Sequence, residues 1–433
     1  MTRLGCILLI AFMFSCDTER NVPVLDDNTF VKFYGNDGEQ TGVDFVLTAD
    51  GSIVMVGNSA LPGRTSMIYV VKVDLKGNVI WENFIGLSDK PNYVKDIELH
   101  PDGRLIIAGE TEITPGNRDI FLKIMSGSGA ELDSTRYSLT ATSDEEVNSV
   151  TIIGGGVTTT QSGFIVSGAT TAVDDVKGPR DIRDGMHVRF IDEPTLPIAP
   201  SAWLKTTGKD NSEDVIVKAI QIDANRIHFF GYTNVEWGGS GDFKYWVFSL
   251  NDAGVELYEG EALFDILGQA NEDEILKAVI DIDIPDLFDR GFLLTGVARN
   301  NAGVCRSYVV RLDRSLQFNN ENQFYPSSLG SYPDAELRMN GFYNSISNDF
   351  LILGTQNINS NLFEDFSLFK LDRQGSPVWG PYAFGGESFD EAGAVLQLAD
   401  GKIMVMGTMT VGGLNGQKKM ALLKLNSEGK LLR

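Results

Sequence analysis

The 433-residue sequence predicts an all-β fold, a seven-bladed β-propeller with four-stranded blades. An apolar run that ends in glycine recurs seven times, at spacings of roughly 50 to 65 residues. A second apolar run follows each glycine, and short turns of the DG or x-x-G type separate the segments. Repeats of this length with several strands per unit are typical of propellers, in which each unit is one small sheet.

The first 28 residues predict an export signal and a linker. Arg3 precedes the apolar run from Leu4 to Phe14, which is too short to cross a bilayer because a spanning helix needs about 20 residues. The segment Met13-Phe14-Ser15-Cys16 resembles a bacterial lipobox, which implies cleavage after residue 15 and acylation (palmitate) of Cys16. The alternative is an ordinary signal peptide cleaved nearby. We expect a lipoprotein signal peptide at 1–15, a tether at 16–28 and the propeller at 29–433, with the anchor in the outer membrane or at the cell surface rather than in the inner membrane.

The formal net charge is -23, from 59 acidic and 36 basic residues. Such a balance repels a phosphate backbone, so we expect no nucleic-acid partner. Cations, basic proteins and neutral glycans remain possible ligands.

The glycines that end the second strand of each unit are Gly57, Gly109, Gly168, Gly231, Gly296, Gly354 and Gly407. The apolar runs before them do not alternate with polar residues, which predicts strands that are buried on both faces between neighbouring blades.

The third strand of six units carries a basic residue at one position, and the fourth unit has Ser249 there. These residues are Lys72, Lys123, Arg189, Arg311, Lys370 and Lys424. A charge on a buried strand needs a partner. We expect structural contacts, within or between blades, with acids just before each first strand: Asp89, Asp144, Asp214, Asp273, Asp334 and Asp390. The alternative is a ring of charges that serves a ligand.

The last repeat lacks an outer strand, because only Lys430 to Arg433 follow its final turn. An unassigned strand of the missing type lies at Thr29 to Gly35. Pairing this strand with the last blade would close the ring and remove an open sheet edge.

The repeat pattern, a DG turn, an apolar run, G-x-[ST] and a strand ending in K-[LV]-[DN]-x-x-G, resembles the Delta-60-type and related propeller repeats of exported bacterial proteins, many of them Bacteroidetes-type lipoproteins. The resemblance covers residues 29–433 and implies a fold and export, without shared catalytic residues. The segments Val73 to Trp81 and Leu371 to Trp379 resemble the tryptophan-docking repeats of quinoprotein propellers. Only these two units keep the tryptophan at that spacing, so we expect no quinone and no other cofactor.

Few residues suggest chemistry. His100, His187 and His228 are the three histidines, and no two have metal-ligand spacing, so we expect no metal site. The sequence contains no G-x-S-x-G, H-E-x-x-H or P-loop motif.

The loops between strands two and three share one face of a propeller with the connections between blades. We call it the long-loop face, since these loops are longer and more acidic than the other turns: Ser59–Met67, Thr171–Gly185, Thr233–Asp242, Thr355–Asp365 and Thr408–Lys418. Trp237 could bind a ligand there with Glu236 and Asp242, or it could pack against the blade edge.

We expect a monomeric, non-catalytic scaffold that binds a protein or glycan of the cell envelope on this face. Two alternatives remain: a carbohydrate-active lyase or hydrolase with its site at the mouth of the central channel, and a structural envelope component.

Overall fold

The computed structural model describes residues 29–431 except 62, 64, 88, 158–160, 173–182, 193–196, 202, 204, 209–211, 235–240, 258–264, 270, 284–289, 302–304, 325–338, 345–346, 357–363 and 414–415. The described residues form thirty β-strands and no helix. None of them belongs to a helical segment that could cross a membrane.

The strands form seven separate sheets, which confirms the seven-bladed propeller. Blade 1 contains β2 (Glu39–Gln40), β3 (Asp44–Leu47), β4 (Ile53–Ala60), β5 (Met67–Val73) and β6 (Val79–Ile85). Blade 2 contains β7 (Asn92–Leu99), β8 (Leu105–Thr114), β9 (Asn117–Met125) and β10 (Glu131–Tyr137). Blade 3 contains β11 (Glu145–Ile153), β12 (Gly163–Thr170), β13 (Asp184–Ile191) and two short outer pieces, β14 (Ala199–Pro200) and β15 (Thr206–Thr207).

Blade 4 contains β16 (Asp214–Asp223), β17 (Arg226–Thr233), β18 (Lys244–Leu250) and β19 (Asp265–Leu267). Blade 5 contains β20 (Glu272–Ile282), β21 (Gly291–Asn300), β22 (Cys305–Asp313) and β23 (Phe318–Phe324). Blade 6 contains β24 (Met339–Asn344), β25 (Asp349–Gln356), β26 (Asp365–Leu371) and β27 (Pro377–Phe384). Blade 7 contains β28 (Glu391–Gln397), β29 (Ile403–Val411), β30 (Gln417–Leu425) and β1 (Phe30–Tyr34).

The ring closes through the amino-terminal strand, as the sequence predicts. β1 pairs antiparallel with β30, from Phe30 opposite Lys424 to Tyr34 opposite Met420. The head of the chain therefore supplies the outer strand that the last repeat lacks, and blade 7 has the same four strands as its neighbours.

The hydrophobic core lies between the blades. The described residues form seven buried apolar clusters, each built from two adjacent blades, including one that joins blade 7 to blade 1. Ile53, Met55, Leu105 and Ile403 of the second strands are fully buried. Continuous apolar runs are needed here because each second strand is covered on both sides.

The repeated glycines have a common physical cause. In five blades the first strand carries a β-bulge directly opposite the glycine. The bulge moves the first-strand backbone towards the glycine, so a Cβ built on Gly168 would lie 1.8 Å from the carbonyl oxygen of Glu146. Gly231 would meet the Val215 carbonyl at 2.0 Å. Only glycine fits at such an approach.

Candidate functional site

The predicted pairing of third-strand bases with the acids before each first strand is wrong. The bases lie near the end of the third strand, at the face formed by the turns between strands one and two and between strands three and four, which we call the short-turn face. The described acids among the six lie at or just before the start of the first strand, on the long-loop face. The two positions are therefore a strand length apart, roughly 20 Å at about 3.3 Å per residue.

Three of the bases meet other carboxylates of their own blades. Lys72 Nζ lies 2.7 Å from Asp50 Oδ2, and this bond lowers the pKa of Asp50. Lys123 Nζ lies 2.5 Å from Glu131 Oε2. Lys370 pairs with Asp349.

Several bases also join one blade to the next. Lys72 donates to the carbonyl of Gly127 at 3.3 Å, in the turn between strands three and four of blade 2. Arg189 donates to the Asp252 carbonyl at 2.7 Å, and Lys424 donates to the Leu75 carbonyl at 2.9 Å. Arg311 instead donates to carbonyls of its own blade, at 3.1 Å to Leu312 and 3.3 Å to Phe292.

Blade 4 has no base at this position, and a histidine takes the same role. His228 Nδ1 lies 2.7 Å from the hydroxyl of Ser249, which stands at the base position. Its Nε2 lies 2.9 Å from the carbonyl of Arg314, in the corresponding turn of blade 5. The joint between these blades is therefore kept by a different pair of residues. Ser249 hydrogen-bonds the histidine, and the histidine contacts the carbonyl at the turn position that a lysine contacts elsewhere.

The acids at the start of the first strands bind loops and other bases. Arg118 Nη2 lies 2.7 Å from Asp144 Oδ2, and Arg299 Nη2 lies 3.3 Å from Asp273 Oδ2. Asp214 accepts from the hydroxyl of Ser212 at 2.7 Å. Asp390 and Asp89 lie in the connections that lead into blades 7 and 2, and Asp334 lies outside the described residues.

A buried polar residue three positions before the bulge residue, or at the equivalent place in blade 1, hydrogen-bonds the incoming connection of several blades. This position is occupied by Gln40, Asn92, Glu145, Asp214, Glu274 and Asp390. Glu274 accepts from the amide of Gln269 at 2.8 Å and pairs with Lys244 Nζ at 2.6 Å. Asp390 accepts from the amides of Gly386 at 3.0 Å and Thr410 at 2.7 Å. These side chains replace water as partners of the loop backbone.

Burial raises the pKa of three of these carboxyls. Removal from water raises the pKa of Glu274 to about 7, against the lowering effect of Lys244. The same cause raises the pKa of Asp390 to about 6 and raises the pKa of Glu145.

The centre of the propeller holds a cavity of about 430 Å³. The first strands of all seven blades contribute to its wall, with Asp44, Lys95, Asp96, Glu146, Asn148, Lys218, Lys277, Asn340, Glu391 and Gly393 among the lining residues. Most of these residues lie in the first half of their strands, so the cavity occupies the long-loop end of the central channel. Bulges near active sites often re-aim side chains, and here they place Lys95, Asn148 and Lys277 on the wall.

A charged cluster lies on one side of this cavity. Lys218 Nζ lies 2.8 Å from Glu98 Oε1 and 3.5 Å from Asp96 Oδ2. Asp44 hydrogen-bonds Asp96, and burial together with the Asp96 charge raises the pKa of Asp44 well above its usual range. Burial alone would lower the pKa of Lys218, but the surrounding carboxylates raise it. Burial and the neighbouring carboxylates therefore act in the same direction on Asp44 and in opposite directions on Lys218.

Ion pairs join the rim of the channel across blades 2 to 4. They connect Lys95, Glu110, Arg118, Asp144, Glu146, Arg183 and Glu213. Glu110 is fully buried, and it lies 3.2 Å from Lys95 Nζ and 3.0 Å from Arg118 Nη1. Its Oε1 also accepts from the amide of Val147 at 2.8 Å.

A second cavity, of about 390 Å³, lies on the long-loop face between blades 6 and 7. Its wall contains Thr355, Glu364, Phe389, Asp390, Glu391, Thr408 and Lys418. Glu391 belongs to the walls of both cavities.

The residues predicted to bind a ligand fall outside these two cavities or outside the described chain. Trp237, Glu236 and the acylation site Cys16 are not among the described residues. Asp242 is half-buried at the end of its loop. No group of three or more His, Cys, Asp or Glu side chains in the described part of the chain could hold a metal ion.

The comparisons with known proteins agree with the fold. Residues 398–431 match the family model described as "Domain of unknown function (DUF5122) beta-propeller", which confirms a propeller repeat in the stretch that forms most of blade 7. No curated protein matches the chain by sequence.

Solved structures similar to the chain have low sequence identity. Extracellular domains 1–2 of Drosophila Semaphorin 1a are 9% identical with a TM-score of 0.50, over 92% of this chain and 88% of that chain. A protein of unknown function from Dyadobacter fermentans is 10% identical with a TM-score of 0.46, over 92% and 97%. An α-L-arabinofuranosidase of Fusarium graminearum with arabinobiose is 10% identical with a TM-score of 0.47, over 77% and 93%. The semaphorin similarity supports the fold alone.

Proposed function

We propose that the chain is an exported lipoprotein, anchored through Cys16, whose propeller binds a protein or glycan of the bacterial envelope without converting it. The central cavity is the observation that carries this proposal. It lies at the long-loop end of the channel and offers amide, ammonium and carboxylate groups on one rigid ring. Convergent polar groups in a concave site are typical of ligand binding.

The arrangement of Asp44 and Asp96 favours binding over glycoside hydrolysis. A glycosidase places its two carboxyls roughly 5 to 10 Å apart, so that the scissile bond fits between them. Asp44 and Asp96 instead hydrogen-bond each other directly, and Lys218 occupies the space beside Asp96. Asp96 also joins two blades, because its Oδ2 accepts a hydrogen bond from the amide of Val150 in the next blade at 2.8 Å.

One observation favours the second candidate, a carbohydrate-active enzyme with its site at the channel mouth. Asp44 lines a cavity, and burial together with the Asp96 charge raises its pKa, as is found for general acids. The two candidates differ in whether the bound glycan is altered and in whether Asp44→Asn removes that alteration.

The test uses the full-length lipidated chain, purified in detergent. Glycan arrays and pull-down from envelope extract should give a specific partner, and mass spectrometry should recover a bound glycan unchanged. Cleaved glycan that disappears with Asp44→Asn would establish the enzyme instead. Cys16→Ser should release the chain from the membrane fraction and remove the acyl mass. An unchanged membrane fraction would contradict the anchor.

We also propose a location for the anchor and an oligomeric state for the propeller. We place the anchor in the outer membrane or at the cell surface and the propeller as a monomer. Sedimentation of the detergent-free Cys16→Ser variant tests the oligomeric state.

A further inference from the structure

The central cavity and the cavity between blades 6 and 7 adjoin, because one residue lines both. β28 of blade 7 forms the wall between them: Glu391 contacts both spaces, and Gly393, two residues on, lines the central one. The two cavities are therefore neighbours on the long-loop side of the channel, with Glu391 between them.

Blade 7 lines the channel with a different type of residue from four other blades at one position. At the bulge position, four other blades carry Lys95, Asn148, Val217 and Lys277, whose side chains reduce the space in the ring. Blade 7 has Gly393 at the same position. A Cβ at Gly393 would lie 2.8 Å from the carbonyl oxygen of Val43, so the backbone of blade 1 packs closely against this glycine, and Glu391 is the side chain of blade 7 that faces both cavities.

The second cavity has an aromatic platform. Phe389 is 56% exposed, although a phenylalanine is normally buried. Its loop is held in place, since the Thr410 hydroxyl donates to the Phe389 carbonyl at 2.8 Å and Asp390 N–H donates to the Glu364 carbonyl at 2.8 Å. An exposed aromatic ring on a fixed backbone can pack its face against the C–H groups of a sugar ring.

The polar groups around Phe389 suit hydroxyl groups. Glu364 and Glu391 can accept hydrogen bonds, and Lys418 can donate them. Acidic ligands are disfavoured, because the wall contains three carboxyls against one lysine and the whole chain carries a net charge of -23. The ligand that fits is uncharged and rich in hydroxyl groups.

We infer that the two cavities form one extended site for a neutral oligosaccharide, with one sugar unit in the channel and a further unit on Phe389. This inference rests on the proposed binding function and names its ligand class. Cavities of about 430 and about 390 Å³ each lie near the lower end of small-ligand sites, so an occupant of both exceeds a single sugar.

Calorimetry with the full-length chain in detergent tests the site. The probes are mono-, di- and tetrasaccharides of glucose, mannose and xylose, with tetragalacturonic acid as the charged comparison. For at least one neutral series we expect affinity to rise at least tenfold from the monosaccharide to the tetrasaccharide. The acidic tetrasaccharide should bind at least tenfold more weakly than the neutral one.

Two variants and two matched controls locate the binding. Phe389→Ala and Glu391→Gln should each weaken tetrasaccharide binding at least tenfold and remove the gain with chain length. Phe318→Ala changes a phenylalanine that is 52% exposed on the outer strand of blade 5, and Glu428→Gln changes an exposed acid in the last turn. Both controls should bind as the unaltered chain does, and circular dichroism should show the same fold for all four variants.

Three results would overturn the inference: binding that ignores Phe389→Ala and Glu391→Gln, tighter binding of tetragalacturonic acid, or no binding of any neutral probe. The first two leave the proposed function intact, since a glycan still binds elsewhere on the chain. The third is separated from failure of the proposed function by the pull-down, which reports a protein partner independently.

Discussion

On the short-turn face the blades meet their neighbours in the same way again and again, whereas on the long-loop face the contacts differ from blade to blade. Lys72 and Lys424 donate to a carbonyl in the next blade's last turn, and so does His228 where the base is missing. The long-loop face instead carries ion pairs on one side, around Glu110, and two cavities bounded by Glu391 on the other.

Outer strands extend the regular pattern of the short-turn face. A large aromatic side chain packs on a glycine in the next blade's last turn, with the pairs Tyr34 on Gly77, Trp81 on Gly129, Trp203 on Gly254 and Trp379 on Gly429. Each of these turn glycines has a positive φ, between 73° and 88°. The tryptophan-docking pattern is therefore structural and joins blades. The short-turn contacts recur from blade to blade, with His228 in place of the base in blade 4, because neighbouring blades must join in a similar way to close the ring.

The largest effect should come from replacing a glycine that lies opposite a first-strand bulge. Gly168→Ala places a Cβ 1.8 Å from the Glu146 carbonyl, so the first strand must move and the channel wall moves with it. We expect a loss of about 3 kcal/mol or more in the free energy of unfolding, measured by urea titration. Gly386→Ala is the control, since nothing lies within 4 Å of its Cβ position, and it should change stability by less than about 0.5 kcal/mol. Equal losses in both variants would show that the close approach is not what selects glycine.

That glycine also shows how much the sequence could predict. Gly57 to Gly407 recur once in each second strand, so the blade count and the closure by Thr29 to Gly35 could be predicted from spacing and from the missing last strand, although each strand continues past its glycine. The bulge itself could not, since it depends on how two backbones approach. Nor could the partner of Lys72, because Asp50 and Asp89 are both nearby in sequence and only strand direction separates them.

The channel cluster was beyond sequence reasoning for a related cause. Asp44, Asp96 and Lys218 are charged residues in otherwise apolar first strands, which is a usable signal for each one. Their meeting depends on the curvature of the ring, which brings together residues from three different blades. Sequence spacing does not report distances across a closed ring.

The next effect should distinguish the faces by pH. Folded Glu274 keeps its proton up to about pH 7, whereas an exposed glutamate loses it near pH 4.5, so the folded state binds more protons in between. The contribution of Glu274 to the free energy of unfolding is fully present below pH 4.5 and is lost as pH rises through 7. A shift of this size corresponds to about 3 kcal/mol in total. Asp390 adds a change of the same sign, since its pKa is raised to about 6.

Urea titrations from pH 4.5 to 8 should show this decline, and Glu274→Gln should remove the part that Glu274 contributes, about 3 kcal/mol, and keep the part from Asp390, while Glu428→Gln leaves the whole decline unchanged. Hydrogen exchange should place the loss near the Gln269 amide on the long-loop face. The His228 joint on the short-turn face should keep its protection, because burial lowers the pKa of His228 to about 4 and the ring stays neutral over this range. Stability that rises with pH would contradict the buried, protonated state of Glu274.

The smallest effect tests whether His228 and Ser249 make in blade 4 the interblade contact that a lysine makes in other blades. His228→Val inserts the aliphatic type that the other second strands have at this position and leaves Ser249 and the Arg314 carbonyl without their partner, at a cost of about 1 to 2 kcal/mol. Ser249→Lys alone forces a lysine against the histidine and should also destabilise. Together the two changes give blade 4 a lysine opposite an aliphatic residue, as in other blades, so the double variant should recover most of the loss. A double-mutant cycle in urea measures the coupling, expected at 1 kcal/mol or more in favour of the pair. If the two losses simply add, the lysine does not reach the next blade's turn from this position. The regularity of the short-turn face would then end at blade 4.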